Sequence, residues 1–173
     1  DPSLLGLLAS PFALTPGFSG PHQPTGLLPE FDATLNTWVA PFIMAAINTK
    51  NVHRTNFLLG HRYGSDFVYD EMMVAGLGDM GKAAAEAIAR INPFAGDKGP
   101  KPGEGPSQEE RDNGHYDLLF VGLMPDGARF DAVVTGDRDP GYGSTSKMIA
   151  ETARCLLETE GAGGVWTPGA LLG

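Results

Sequence analysis

"HYDLLFVGLMPDGARFDAVVTGD" (residues 115–137) is the most informative part of the sequence about the fold. Two apolar runs rich in strand-forming residues flank Pro125-Asp126-Gly127, where the glycine supplies the positive φ that a tight turn requires. This arrangement predicts an antiparallel hairpin with strands at 115–124 and 128–137. An antiparallel pair with a short turn points to the α+β class, since parallel strands need long crossover connections.

Further elements are predicted on both sides of the hairpin. Alternating residues at 66–75 predict a third strand of the same sheet, and helical patterns predict helices at 36–59, 81–91 and 144–160. The first helical region is apolar on nearly all sides, which predicts a buried helix kinked near Pro41, followed by a second segment that ends at Gly60. The predicted fold is α+β, a largely antiparallel sheet with helices mainly on one face.

The helix at 144–160 is expected to begin with Ser144 or Thr145 as its cap. Its core-facing residues, at helical spacing, are predicted to be Met148, Ile149, Ala153, Leu156 and Leu157. A short final helix is predicted with Thr167 as cap and Pro168 at its first position.

Proline and glycine set the remaining boundaries. Prolines recur through residues 1–31 and predict an irregular arm, after which residues 32–173 are expected to form one α+β domain. The polar segment 92–114 lacks apolar periodicity and is expected to be a long surface loop. Because the chain starts with Asp1-Pro2 and ends within a predicted helix, we expect it to be a fragment of a longer protein.

Composition excludes several classes of function. The 173-residue chain is 42% hydrophobic, which suffices for a core, and its formal charge of −9 disfavours nucleic acid as a partner. The longest apolar run, residues 38–47, is too short to span a membrane. A single cysteine, Cys155, excludes an internal disulfide and indicates a soluble, cytoplasmic protein.

"VAGLGDMGKAAAEAIARI" (74–91) contains the G-x-G-x-x-G spacing of dinucleotide-binding loops. That motif requires a buried parallel strand before it and an acidic residue at the end of a second strand about 20 residues later. Asp70 and Glu71 fit a half-exposed antiparallel strand better, and the candidate acid, Asp97, lies in the predicted loop. We therefore expect no cofactor site here, but a small-residue helix face that packs closely.

Two other patterns also favour structural explanations. The histidine spacings match no metal-ligand motif, so no metal site is expected. Ser144 with Lys147 has the spacing of a Ser-x-x-Lys nucleophile pair, but a serine at a helix start is more simply a cap.

Four blocks resemble the saccharopine dehydrogenase-like oxidoreductase family, which includes the trans-acting enoyl reductases. They are "WVAPFIMAAINTKNVHRTNFLLGHRYGSDFVYDEMM" (38–73), "PKPGEGPSQEERDNGHYDLLFVG" (100–122), "PGYGSTSKMIAETARCLL" (140–157) and "GGVWTPGALLG" (163–173). The resemblance covers about three quarters of the chain and is to the C-terminal domain only. It implies that an N-terminal Rossmann domain, absent from this sequence, binds NAD(P), and that the fragment alone binds no cofactor.

The resemblance implies a substrate-binding and interaction domain of an NAD(P)-dependent oxidoreductase that is not catalytic alone. Its implied partners are its own Rossmann domain, a small-molecule or acyl substrate and, in some arrangements, a second copy in a homodimer. The resemblance assigns no catalytic residue to this chain. Candidate substrate-binding residues are the polar ones within the matching blocks: Asn48, Arg54, Asn56, Tyr63, Tyr142 and Lys147. The alternative is a non-catalytic ligand-binding or dimerisation module, which a native start near residue 1 would favour.

Overall fold

The computed structural model describes residues 6, 9–91, 103–161 and 163–173. Its elements, in chain order, are β1 (Glu30–Asp32), β2 (Thr37–Pro41), α1 (Ala45–Leu58), β3 (Met72–Gly76), α2 (Gly78–Ala89), α3 (Gln108–Asn113), β4 (Tyr116–Leu123), β5 (Arg129–Gly136), α4 (Gly143–Glu158) and α5 (Pro168–Leu171). All strand pairs are antiparallel, which confirms the predicted class.

The chain divides into two compact units. Unit 1 comprises Asp1–Ala95 and Ala162–Gly173, and unit 2 comprises Gly96–Gly161. Unit 1 contains a three-stranded sheet in the order β1-β2-β3, and unit 2 contains the two-stranded sheet β4-β5. The prediction that segment 66–75 joins the hairpin in one sheet is therefore wrong.

The core of unit 1 lies between β2 and α2. Among the described residues of unit 1, the buried hydrophobic ones are Val39 and Ala40 on β2 and Ala85 on α2, with 3%, 0% and 0% of their surfaces exposed. The small side chains allow the helix to pack closely on the strand, as the alanine-rich pattern predicted. A cation–π contact between Lys82 and Trp38, 5.5 Å from ammonium to ring centroid, flanks this packing.

The predicted helix at 36–59 is wrong in its first third. Residues Thr37–Pro41 form β2, which pairs with β1 on one side and β3 on the other, and the helix begins only at Ala45. A short apolar run buried on both faces has no period that separates a strand from a helix. Asp32 accepts the N–H groups of Thr34 and Leu35 at 2.7 and 2.9 Å in the turn between β1 and β2.

Strand β3 is shorter than predicted, because the backbone before it bonds to side chains. The Tyr69 N–H donates to Gln23 Oε1 at 2.9 Å, and the Glu71 N–H donates to Asp70 Oδ1 at 2.8 Å. Strand pairing therefore begins at Met72. The predicted end of the preceding helix is confirmed, since Gly60 follows α1 with φ of +65°.

Unit 2 contains the predicted antiparallel hairpin. Tyr116 pairs with Gly136 at one end and Leu123 with Arg129 at the other. In the turn, Gly127 has φ of +86° and the Met124 N–H donates to the Ala128 carbonyl at 2.8 Å. The local turn chemistry therefore identified this element correctly.

Helix α3 lies within the segment predicted to be a loop at 92–114, of which residues 92–102 lie outside the described part. Ser107 and Glu110 form a capping box, in which Ser107 Oγ accepts the Glu110 N–H at 3.2 Å and the Glu110 carboxylate accepts the Ser107 N–H at 2.7 Å. The Ser-x-x-Glu spacing at 107–110 is the sequence pattern that could have predicted the start of this helix.

Helix α4 begins and ends close to its predicted bounds, but two details differ. Its start is capped by Asp139 and by neither Ser144 nor Thr145, whose hydroxyls donate to the carbonyls of Arg138 and Pro140. The five residues predicted to face a core are exposed in the described structure: Met148, Ile149, Ala153, Leu156 and Leu157.

Between Ser10 and Pro29 the chain forms turns without a helix or strand, as predicted for the arm, although Glu30 and Phe31 already belong to β1. Helix α5 starts with Pro168 at its first position after Thr167, as predicted. None of the helices in the described part of the chain has the length and apolar character that crossing a membrane requires.

Candidate functional site

Unit 2 contains a cleft of about 240 Å³ at the start of α4, and its lining is rich in cations. Its lining residues come from α3, from the link after β5 and from the first turns of α4: Gln108, Arg111, Asp112, Arg138, Gly143, Ser146 and Lys147. Three of the 12 Lys and Arg residues of an acidic chain thus converge on one cleft. Such a concentration favours an anionic ligand.

The cations of the cleft are held in place by neighbours within unit 2. Lys147 Nζ lies 2.6 Å from Asp137 Oδ1, and Arg138 forms an ion pair with Asp112. Arg111 donates to the Pro106 carbonyl and to Gln108 Oε1, both at 2.7 Å. The hydrogen bond from Lys147 holds the pKa of Asp137 below its usual value.

These pairs leave the cleft able to accept a ligand anion. Both ion pairs are at least one third exposed, and pairs of that kind contribute about 1 kcal/mol or less because water screens them. A phosphate or carboxylate can therefore take the place of Asp112 or Asp137 beside the cations at small cost. Ser146 Oγ and the Gln108 amide add groups that can donate to its oxygens.

The backbone at the start of α4 is already satisfied. Asp139 Oδ1 accepts the Tyr142 N–H at 2.8 Å and Oδ2 accepts the Gly143 N–H at 2.6 Å. Desolvation acts to raise the pKa of Asp139, but these N–H donors outweigh it and hold the pKa below its usual value. Ligand binding in the cleft must therefore rely on side chains.

Two predicted residues lie at the start of α4: Tyr142 immediately precedes the helix, and Lys147 lies in its second turn and lines the cleft. Tyr142 does not line it; its ring is half-exposed and lies against Gly105. Arg111 and Arg138 were missed, because a surface arginine in a polar segment has no sequence signal that separates it from a solvated one. Of the two, only Arg111 could have been placed on a predicted element, because the capping box of Ser107 and Glu110 marks the start of the helix that contains it.

The other four predicted residues lie in unit 1, where each takes part in a structural hydrogen bond. Asn56 is 3% exposed; its amide donates to the Gly64 carbonyl at 2.8 Å and its Oδ1 accepts the Tyr63 N–H at 2.8 Å. Arg54 donates to the carbonyls of Leu14 and Val165 at 3.1 and 3.2 Å. These contacts tie the turn after α1, the arm and the C-terminal segment to that helix.

Asn48 belongs to a polar network that sequence reasoning missed. Glu71 accepts from the Asn48 amide at 2.9 Å and from the Tyr69 hydroxyl at 2.7 Å. Burial, and then the hydrogen bond to Glu71, raise the pKa of Tyr69, so the phenol remains a protonated donor at neutral pH. Gln23 connects the network to the arm, since its Oε1 accepts the Tyr69 N–H.

The glycines of the G-x-G-x-x-G stretch have structural roles in this fold. Gly76 and Gly78 have φ of +118° and +58°, and a Cβ on Gly81 would overlap the carbonyl of Gly76. The spacing thus lets α2 begin directly against the end of β3, an edge strand in an antiparallel sheet. In the described residues no group of three His, Cys, Asp or Glu side chains gathers as metal ligands would.

The chain is similar to proteins named trans-acting enoyl reductases. One from Mycobacterium tuberculosis strain H37Rv is 32% identical over 202 aligned positions, which cover 100% of this chain and 48% of that protein. Relatives from Mycobacterium ulcerans and Mycobacterium bovis are 29% identical over 204 positions, with the same coverage. The chain therefore spans about half the length of the curated relatives it matches. No protein-family model matches the sequence. No solved structure matches it either.

Proposed function

We propose, from its similarity to trans-acting enoyl reductases, that this chain is the C-terminal, substrate-binding half of an NAD(P)-dependent oxidoreductase of the saccharopine dehydrogenase-like kind. The observation that carries the proposal is similarity along the whole chain to enzymes about twice its length. A nucleotide-binding half of the same protein would supply the cofactor. Because the nicotinamide carries the hydride chemistry, this half has the tasks of binding and orienting the acyl substrate.

In this proposal the cleft at the start of α4 binds a phosphate or carboxylate group of the substrate. Arg111, Arg138 and Lys147 supply the positive charge, and the exposed ion pairs of Arg138 and Lys147 exchange their carboxylates for the ligand. Binding a group remote from the reacting double bond fixes the position of that bond relative to the nicotinamide. The residues that touch the double bond would then belong to the interface with the other half.

Ligand binding is tested by calorimetric titration of this chain with inorganic phosphate and with an enoyl-coenzyme A thioester. We expect the double variant Arg138→Ala/Lys147→Ala to bind both ligands about tenfold more weakly, since two exposed charged contacts of nearly 1 kcal/mol each together reach the about 1.4 kcal/mol of a tenfold change. Arg154→Ala is the matched control, because Arg154 lies on the same helix, pairs with Glu151 and does not line the cleft. Equal loss in both variants would mean that only overall charge matters, and the cleft would have no role.

The oxidoreductase role is tested with a chimaera in which this chain replaces the matched half of the 32% identical relative from M. tuberculosis. We expect the chimaera to oxidise NADPH when an enoyl thioester is supplied, and this chain alone to show no turnover. In the chimaera, Arg138→Ala/Lys147→Ala should raise KM more than it lowers kcat, as expected for a binding contact. A folded chimaera that binds NADPH but neither binds nor reduces the thioester would refute the proposal and favour a non-catalytic module.

A further inference from the structure

Two carboxylates are paired with cations of the cleft at the start of α4. Asp137, the first residue after β5, pairs with Lys147 at 2.6 Å, and Asp112 on α3 pairs with Arg138. In the proposed function, on which this inference rests, an anionic ligand takes the places of these carboxylates. The ligand must therefore compete with two anions that belong to the protein itself.

Both carboxylates can leave their cations and still be solvated or hydrogen-bonded. The Asp137 side chain is 82% exposed, so water solvates it once it leaves its lysine. Asp112 also accepts the side-chain amide of Gln108 at 2.7 Å, one turn earlier on the same helix, and this bond does not involve the arginine. Asp139, by contrast, is held by two backbone N–H groups at the start of α4 and stays in place.

The presence of two internal carboxylates determines which charge a ligand needs. A carboxylate tethered beside its cation has an effective concentration of about millimolar or higher, so a free ligand displaces it only by making a better contact. A ligand with one negative charge exchanges one ion pair for another of the same kind and gains little. A ligand with two negative charges on one group replaces both carboxylates, because both cations line the same cleft of about 240 Å³.

We propose that the cleft selects a phosphomonoester, whose dianion displaces Asp112 and Asp137 together, over carboxylates and phosphodiesters, which carry one charge. A phosphomonoester loses its second proton near pH 6 and has three terminal oxygens that accept hydrogen bonds. The planar guanidinium of Arg138 can donate to two of these oxygens, and Lys147 contacts the third as a compact charge. The two aspartates act as internal competitors that exclude singly charged anions.

The test is calorimetric titration of this chain at pH 7.5 with phenyl phosphate, methyl phenyl phosphate and benzoate. Phenyl phosphate, the dianion, should bind about tenfold more tightly than either monoanion. Asp112→Asn and Asp137→Asn should each tighten the binding of phenyl phosphate about threefold, because a weak, exposed ion pair no longer competes with it. Asp131→Asn is the matched control, since Asp131 pairs with Arg129 in the same unit and does not line the cleft. It should change the affinity by less than about 1.5-fold.

The direction of the change separates competition from a structural role. If the aspartates position the cations for the ligand, Asp112→Asn and Asp137→Asn weaken binding, and that result would overturn the proposal. Equal affinity for phenyl phosphate and methyl phenyl phosphate, equal effects of Asp131→Asn and Asp137→Asn, or no binding of any probe would overturn it too. Turnover by the chimaera decides the oxidoreductase role independently, because a cleft that binds monoanions equally well still permits reduction of a thioester.

Discussion

His53 is a buried imidazole in an aromatic environment. It is 3% exposed and lies between the rings of Phe12, at 4.5 Å, and Phe67, at 5.9 Å between centroids. Its Nε2 has no hydrogen-bond partner among the described residues. Burial disfavours the imidazolium ion and lowers the pKa of His53 from 6.5, so the arm packs on a neutral ring.

This burial predicts a pH dependence of stability. Below pH 6.5 the unfolded chain binds a proton at His53 that the folded chain does not. The contribution of His53 to stability is therefore fully present above pH 6.5, and it decreases as the pH falls from 6.5 to the lowered pKa of the folded state. In urea titrations at pH 7.5 and 5.5, His53→Leu should lose less stability on acidification than the parent chain. His22→Leu, at an exposed position, should lose as much as the parent; a parent-like loss in His53→Leu would contradict the assignment.

Arg54 joins two distant segments to α1 through the carbonyls of Leu14 and Val165. Arg54→Ala should lower the free energy of unfolding by about 1 kcal/mol, because these charge-assisted bonds are partly exposed. The melting temperature should fall by roughly 2–4 °C, measured by calorimetry. Arg62→Ala, at an exposed residue just after the same helix, should leave the melting temperature unchanged. Equal shifts in both variants would argue against a role of Arg54 in joining the two segments to α1.

Among the elements, the contact between β3 and α2 explains a motif that suggested nucleotide binding. Gly81 in the first turn of α2 touches the backbone of Gly76 at the end of β3, and a side chain has no room there. In a dinucleotide-binding loop the same spacing brings the backbone to a pyrophosphate. Here it brings the helix to its own strand.

A pair of glycine substitutions tests that explanation. Gly81→Ala should destabilise unit 1 by about 3 kcal/mol, since the new methyl group collides with rigid backbone. Gly78→Ala should cost about 1 kcal/mol, because its φ of +58° is strained for alanine but its surroundings are open. Denaturant titration measures both, and similar costs at the two positions would show that the close approach does not matter.

The elements also differ in how far the sequence could indicate them. The hairpin was predicted because its turn and alternation are local, and α1 was predicted to its last turn because Gly60 marks its end. Strand β2 was mistaken for a helix, because its identity depends on pairing with Met72–Gly76, more than 30 residues later. Among the residues that line the cleft, only Lys147 was predicted to bind substrate. Arg111 on α3 and Arg138 in the link after β5 reach the cleft only through tertiary contacts.

For the whole molecule, the two units should differ in local stability. Unit 1 has a buried core at β2, whereas both faces of the hairpin in unit 2 are exposed. In dilute solution the amides of Val39 and Ala40 should exchange with solvent more slowly than those of Leu118 and Val134, measured by hydrogen exchange. Equal protection of both units at high dilution would contradict this difference.

The sequence by itself determined the α+β class, the antiparallel hairpin, the alanine-rich packing of α2 and the irregular arm, because turn residues, periodicity and proline act over a few neighbouring residues. Tertiary structure alone decided that Thr37–Pro41 is a strand, that Asp139 begins α4, that the strands form two sheets, and that Arg111, Arg138 and Lys147 share one cleft. Each of these depends on a partner brought near by folding, and no local preference of the chain specifies which partner that is.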